Sequence, residues 1–207
     1  MATLEEVRSE ALSCTRCRLA AGRTQVVWMD GDPDSDLMFI GEAPGSNEDK
    51  QGLPFVGAAG KLLDTALAEI GLDRKACTIV NVVKCRPPGN RDPMQDEIES
   101  CSPYLRAQIE MIQPKVIVTL GNFATRYVLQ NQLSISKVRG QRFEALNAVV
   151  IPTFHPAAAL HGGGERSPAM AAIRSDFQLI SNVLEEQRSK VVVSIDEGDP
   201  IEQPSLF

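Results

Sequence analysis

The run Leu37-Met38-Phe39-Ile40-Gly41-Glu42-Ala43-Pro44-Gly45 decides how this chain folds. Its first four residues form an apolar segment of strand length. A second glycine-rich run, Gly52 to Gly60 (GLPFVGAAG), follows, and then Lys61 to Ile70 (KLLDTALAEI) repeats its apolar residues at helical spacing. A loop that leaves a strand and enters a helix lies, in open α/β sheets, at the crevice where ligands bind. The glycines at 41, 45, 52, 57 and 60 permit backbone approaches that a Cβ would block. Phe55, held between Pro54 and Val56, supplies a flat apolar plate suited to a planar ligand. The loop is not a phosphate cradle of the familiar kinds: Lys61 is followed by Leu62 rather than Ser or Thr, and no G-x-G-x-x-G occurs in it.

Outward from this stretch the same alternation repeats. Thr78 to Val83, Lys115 to Leu120 and Ala148 to Pro152 read as buried strands. Helices are expected over residues 3 to 13, Met94 to Met111, Gly121 to Leu129 and Pro168 to Gln187. Strands alternating with helices give a parallel α/β sheet, so the loops at 41–60, 81–91 and 153–160 should converge on one edge. With 207 residues, 43% of them hydrophobic, the chain can bury one sizeable core. One domain over 1–187 and an acidic, flexible tail over 188–207 are expected. No apolar run approaches the roughly 18 residues of a membrane span, and the acidic start (MATLEEVRSEAL) is unlike a secretory signal. A cytoplasmic monomer follows. A net charge of −6 excludes a generic basic coat for nucleic acid but not a local patch.

Five cysteines, at 14, 17, 77, 85 and 101, make an odd count that argues against a disulfide framework. Cys14 and Cys17 form a C-x-x-C pair at a helix end beside Arg16 and Arg18, a field that favours thiolates. With Cys85 and Cys101 they make four donors, enough for zinc or an iron–sulfur centre. The later pair lacks the C-x-x-C spacing of a zinc ribbon, which favours iron. Cys77, at a strand start, reads as an inert core thiol.

Two polar residues stand at strand ends. Asn81 interrupts an apolar run, where an unpaired amide would cost ~1–3 kcal/mol, so it either caps a turn or reads a ligand with both donor and acceptor. Lys84, Arg86 and Arg91 gather positive charge around the Pro87-Pro88-Gly89-Asn90 turn, where phosphate contacts commonly arise. His155 follows the last strand and opens the small-residue loop Pro156-Ala157-Ala158-Ala159-Leu160.

Taken together, GEAPG with GLPFVG, Asn81 in IVNVVKCRPP and His155 in HPAAAL resemble the uracil-DNA glycosylase superfamily. The four cysteines resemble those of its family 4, and the likeness runs from about Leu4 to Leu184. The resemblance implies a three-layer sandwich with a central four-stranded parallel sheet flanked by helices, and a 4Fe–4S cluster on Cys14, Cys17, Cys85 and Cys101. It implies excision of uracil from single- or double-stranded DNA, leaving an abasic site. Phe55 would stack on the flipped base, Asn81 would pair with its O4 and N3–H, and Gly41 and Ala43 would line the pocket. His155 would stabilise charge growing on O2. The best-known branch carries Asp where this chain has Ala43, so water positioning falls to Glu42, with Glu48 more distant. Leu160 would wedge into the gap left by the base.

Two other functions compete. A branch that traps DNA covalently uses a histidine between the strand-end Asn and the last cysteine, and the interval from Lys84 to Cys101 has none. An iron–sulfur electron carrier would have no need of Phe55, Asn81 and His155. Finally, Gln203-Pro204-Ser205-Leu206-Phe207 resembles the Q-x-x-L-F peptide that docks on the bacterial sliding clamp, with Gln203, Leu206 and Phe207 as its contacts.

Overall fold

The computed structural model describes residues 2–160 and 162–196. Six strands form one sheet: β1 Asp30–Gly31, β2 Leu37–Gly41, β3 Thr78–Asn81, β4 Val116–Leu120, β5 Phe143–Ala145 and β6 Ala148–Thr153. Their spatial order is β1-β3-β2-β4-β6-β5. The inner four are parallel, as expected, and the two edges are antiparallel additions. A four-stranded sheet therefore undercounts by two. β1 is two residues long and shows no period. β5 returns to β6 through Leu146 and Asn147, both at positive φ (55° and 59°). That two-residue turn matches the natural twist of a hairpin, and its Asn is the residue type that tolerates it.

Eight α-helices accompany the sheet among the described residues: α1 Leu4–Leu12, α2 Ser46–Gln51, α3 Ala58–Glu69, α4 Gln95–Ile112, α5 Gly121–Leu129, α6 Ile135–Val138, α7 Ala157–Leu160 and α8 Pro168–Asp196. Alternation along each strand divides the core into two layers. Leu37, Phe39, Ile79, Val118 and Ile151 pack with α3 and α8. Met38, Ile40, Val80, Ile117 and Val150 face α1, α4 and α5. The result is a helix–sheet–helix sandwich. Pro103 sits inside α4, where it cannot donate to the Glu99 carbonyl, and the Ser102 hydroxyl donates to that oxygen instead at 3.1 Å. α8 runs past Gln187 to Asp196, so Arg188, read above as the first tail residue, lies in the helix and pairs with Asp36 at 2.8 Å. Gln203, Leu206 and Phe207 lie outside the described residues.

The chain leaves β2 for β3 on one side, then crosses to β4 on the other. Connections that diverge in this way open a crevice at the strand C-termini. The glycine-rich loop departs into it.

Candidate active site

A cavity of about 550 Å³ opens at that crevice. It is walled by the loop after β2 (Glu42 to Glu48, Phe55, Gly57), by Asn81 and the Pro87 to Asp92 turn after β3, and by His155, Ala157 and Leu160 after β6. All three loops expected to converge do so. Ala43 lines the wall where a carboxylate would stand in the other branch.

Phe55 is buried in a left-handed backbone conformation, φ 53°. Several contacts hold this non-glycine residue there. Arg74 donates to its carbonyl at 3.0 Å and also reaches the Pro54 carbonyl, while Asp30 and Asp64 anchor the guanidinium. A Cβ on Gly60 would lie 1.7 Å from the same carbonyl oxygen. Next along the chain, Glu48 accepts from the Val56 and Gly57 amides, each at 2.9 Å. Glu48 is thus a clamp on the Phe55 loop. Neither the Glu48 clamp nor the Arg74 anchor carries a sequence signal, because the partners of both are backbone atoms.

Asn81 closes β3 and is 2% exposed. Its Oδ1 is a buried side-chain polar atom without a hydrogen-bond partner. An orphaned acceptor of this kind costs on the order of 1–3 kcal/mol, which marks the place as built for something that donates. A Cβ on Gly41 would stand 2.4 Å from this Oδ1 and 2.6 Å from the Phe55 ring. Gly41 is therefore what lets the amide and the aromatic plate meet.

His155 stacks on Phe55, with ring centroids 5.5 Å apart at 30°. Its Nδ1 accepts the Ala157 amide at 3.1 Å, which leaves Nε2 to carry the proton. Burial pulls its pKa down to about 4, against a smaller opposing pull from Glu48. The imidazole is neutral at physiological pH and presents an N–H donor. Glu42 is half-buried, and its backbone carbonyl accepts the Val83 amide at 3.1 Å. Burial first, and Asp92 second, push its carboxyl up to about 7.

The basic cluster behaves differently from expectation. Lys84 is 1% exposed and points into the core rather than toward DNA. Arg91 is held by the buried Glu97 through two hydrogen bonds, at 2.8 and 2.6 Å. A second, more polar cleft of about 740 Å³ shares Glu42, Asp92 and His155 with the first and continues past the exposed Arg106 and Arg126.

A glycine-framed aromatic plate, a buried amide with an unpaired oxygen and a neutral histidine thus share one cavity, an arrangement whose shape and polarity suit a flat heterocycle with adjacent donor and acceptor. The Uracil DNA glycosylase superfamily model matches residues 28–178. The chain is 49% identical over 189 residues to a type-4 uracil-DNA glycosylase of Sulfurisphaera tokodaii, spanning 87% of this chain and 84% of that protein. It belongs to the type-4 uracil-DNA glycosylase family. A type-4 enzyme of Thermotoga maritima is 48% identical over 155 residues, 74% and 81% of the two chains. A type-5 uracil-DNA glycosylase of Pyrobaculum aerophilum is 31% identical over 152 residues, 65% and 66% of the two chains.

In this type-4 chain the four predicted ligands come together. Cys14, Cys17, Cys85 and Cys101 line one small cavity with Ala11, Leu19 and Tyr104, whereas Cys77 is buried in the apolar core elsewhere. Among the described residues, no three Cys, His, Asp or Glu side chains are gathered tightly enough to hold a metal ion as they stand. Donors do face the sulfurs: the Lys84 amide meets Cys101 Sγ at 3.2 Å and Arg23 meets Cys85 Sγ at 3.6 Å. Burial pushes the Cys77 and Cys85 thiols up, to about 12 and about 11 respectively. Among the described residues, no helix is long and apolar enough to cross a membrane.

Proposed function

We propose that this protein excises uracil from DNA by hydrolysing its N-glycosidic bond, and that the buried, unpartnered Oδ1 of Asn81 carries the recognition. A base inside a duplex cannot reach the cavity, so the nucleotide must be extruded at a cost of a few kcal/mol. Seated on Phe55, uracil offers N3–H to Oδ1 and its O4 to the amide nitrogen of the same side chain. Cytosine presents the reverse pattern and would leave both groups unpaired, which is the strongest form of discrimination a buried site offers.

As the bond from C1′ to the base breaks, positive charge grows on the sugar and negative charge on the uracil ring. The neutral His155 donates from Nε2 to O2, where that charge collects, inside a cavity poor in water. Glu42, ionised, orients the water that adds to C1′ and takes its proton, so that uracil and an abasic sugar result. Phosphates flanking the extruded nucleotide run along the second cleft, toward Arg106 and Arg126.

The cysteine cavity fits a 4Fe–4S cluster by its donor set: four thiols, apolar walls, and N–H donors aimed at two of the sulfurs. Such a cluster would supply a covalent tie between the end of α1, the segment after β3 and α4, and hydrolysis itself asks no electron of it. Measurement of single-turnover uracil release tests the reading. Asn81→Ala should lose roughly 10- to 1000-fold, the range expected for about 1.4–4 kcal/mol of buried hydrogen bonding. A wild-type rate in that variant removes Asn81 from recognition.

A further inference from the structure

Lys84 lies three residues beyond Asn81 and is one of the largest wholly buried side chains among the described residues. Its Nζ donates to the Asn81 carbonyl at 2.8 Å and to Gln108 Oε1 on α4, and sits 5.6 Å from the centroid of the Trp28 ring. Gln108 is fixed in turn by donating to the Trp28 carbonyl at 3.1 Å. The Lys84 backbone amide faces the other way and donates to Cys101 Sγ at 3.2 Å. One residue thus holds the main-chain carbonyl of Asn81 through its side chain and the Cys101 sulfur through its main chain.

Stability does not explain such a choice. A lysine amine held by neutral oxygens is an expensive core filler, and a methionine of similar length would occupy the space without burying a polar head. What the amine adds is direction. Nζ reaches the main-chain oxygen of the residue whose side chain reads the base, and so fixes the plane from which that side chain projects. We propose that Lys84 is a positioning residue which couples the cysteine centre to uracil recognition: movement at Cys101 is transmitted through the Lys84 main chain and side-chain amine to Asn81. This rests on the reading of Asn81 given above.

The test uses the full chain and the Lys84→Met, Asn81→Ala and doubly substituted proteins. Readouts are melting temperature, visible absorbance of the purified protein, binding of abasic DNA, and single-turnover uracil release. Lys84→Met should keep its melting temperature, its absorbance and its affinity for abasic DNA, and lose about tenfold or more in uracil release. In the Asn81→Ala background the same substitution should cause no further loss, because the residue it positions is gone. Wild-type release by Lys84→Met, or fully additive losses in the double variant, overturns the coupling while leaving Asn81's role intact. Loss of absorbance and melting temperature together with activity overturns it in favour of a purely structural lysine. Wild-type release by Asn81→Ala would instead bring down the recognition reading itself. Gln108→Leu removes the other partner of the amine and should give the same pattern with a smaller loss; if Lys84→Met does not fold, this variant decides the matter by the same outcomes.

Discussion

At the level of single residues, the proposed mechanism places opposite protonation demands on two side chains. His155 has to stay uncharged while it donates, and its pKa of about 4 keeps it so across the physiological range. Glu42 has to be charged to orient water, yet burial and Asp92 place its carboxyl near about 7. The sign of the pH dependence follows. Below about pH 7 Glu42 holds a proton and cannot accept one from water, and above it the carboxylate is available. Single-turnover uracil release by the wild type should therefore climb through a limb centred near pH 7 and level off at higher pH. Glu42→Gln should be slower by roughly 100-fold, in line with the usual contribution of a positioned acid–base group, and should lose that limb. A limb that survives the substitution assigns the titration to another group and removes Glu42 from the water step. Ala43 marks why this residue matters: with no carboxylate on the neighbouring position, Glu42, Glu48 and Asp49 are the acidic side chains left in the loop, and Glu48 is occupied by the Val56 and Gly57 amides and Asp49 by the Thr24 amide.

Among the elements, what was legible in the sequence and what was not have different physical origins. The four parallel strands and their main helices come from apolar periodicity, which reports burial directly, and Gly121–Leu129 matches the expected helix end for end. The edge strands escaped because β1 is too short for any period and β5 is exposed or partly exposed throughout, so neither carries the buried signature. Inside the site, Phe55, Asn81 and His155 could be found because each is an odd residue in a revealing place: a ring among glycines, an amide in an apolar strand, a histidine at a strand end. Arg74 could not, since it acts on backbone atoms nineteen and twenty residues away, and Glu48 reads as a candidate for water rather than as the clamp it forms on the Val56 and Gly57 amides. Lys84 misled for the opposite reason, as a lysine in a basic run looks exposed until the packing of Trp28 and Gln108 around it is seen. The short helix α7 makes a claim of its own. It ends on Leu160, an apolar side chain that is 42% exposed at the cavity rim. An exposed leucine at the rim of the cavity suits insertion into the gap that an extruded nucleotide leaves. Leu160→Ala should slow uracil release from duplex DNA by roughly tenfold, a loss comparable with a kcal/mol or two of unstacking energy left unsupported. Single-stranded substrate, with no stack to fill, should be excised at the wild-type rate. Equal effects on both substrates would make Leu160 a packing residue of the loop.

Across the whole molecule, the cysteine cavity joins parts that the two apolar layers hold only weakly. α1 has one fully buried residue, Ala11, and meets the body mainly across α4, where Arg16 lies over the Tyr104 ring at 5.1 Å. Beyond it, Cys17 belongs to a small cluster with Leu19, Val26 and Cys85, separate from both main cores. A helix with so little buried surface is a poor independent folding unit. The proposed cluster would supply what packing does not, by tying Cys14 and Cys17 to Cys85 after β3 and Cys101 on α4. Because a cluster bound only by the folded form would stabilise it by mass action, removing it should unfold this region first. Cys17→Ala, or chelation of the wild type, should bleach visible absorbance and lower the melting temperature by roughly 5–10 °C, the shift that about 2–3 kcal/mol gives in a chain of this size. Limited proteolysis should then cut between α1 and β1 before it cuts the sheet. Cys77→Ala separates this from any general effect of losing a buried thiol: it opens a hole in the apolar layer, so it should cost stability and leave the absorbance untouched. If Cys17→Ala keeps both its absorbance and its melting temperature, α1 is held by packing alone and the four sulfurs have no common ligand.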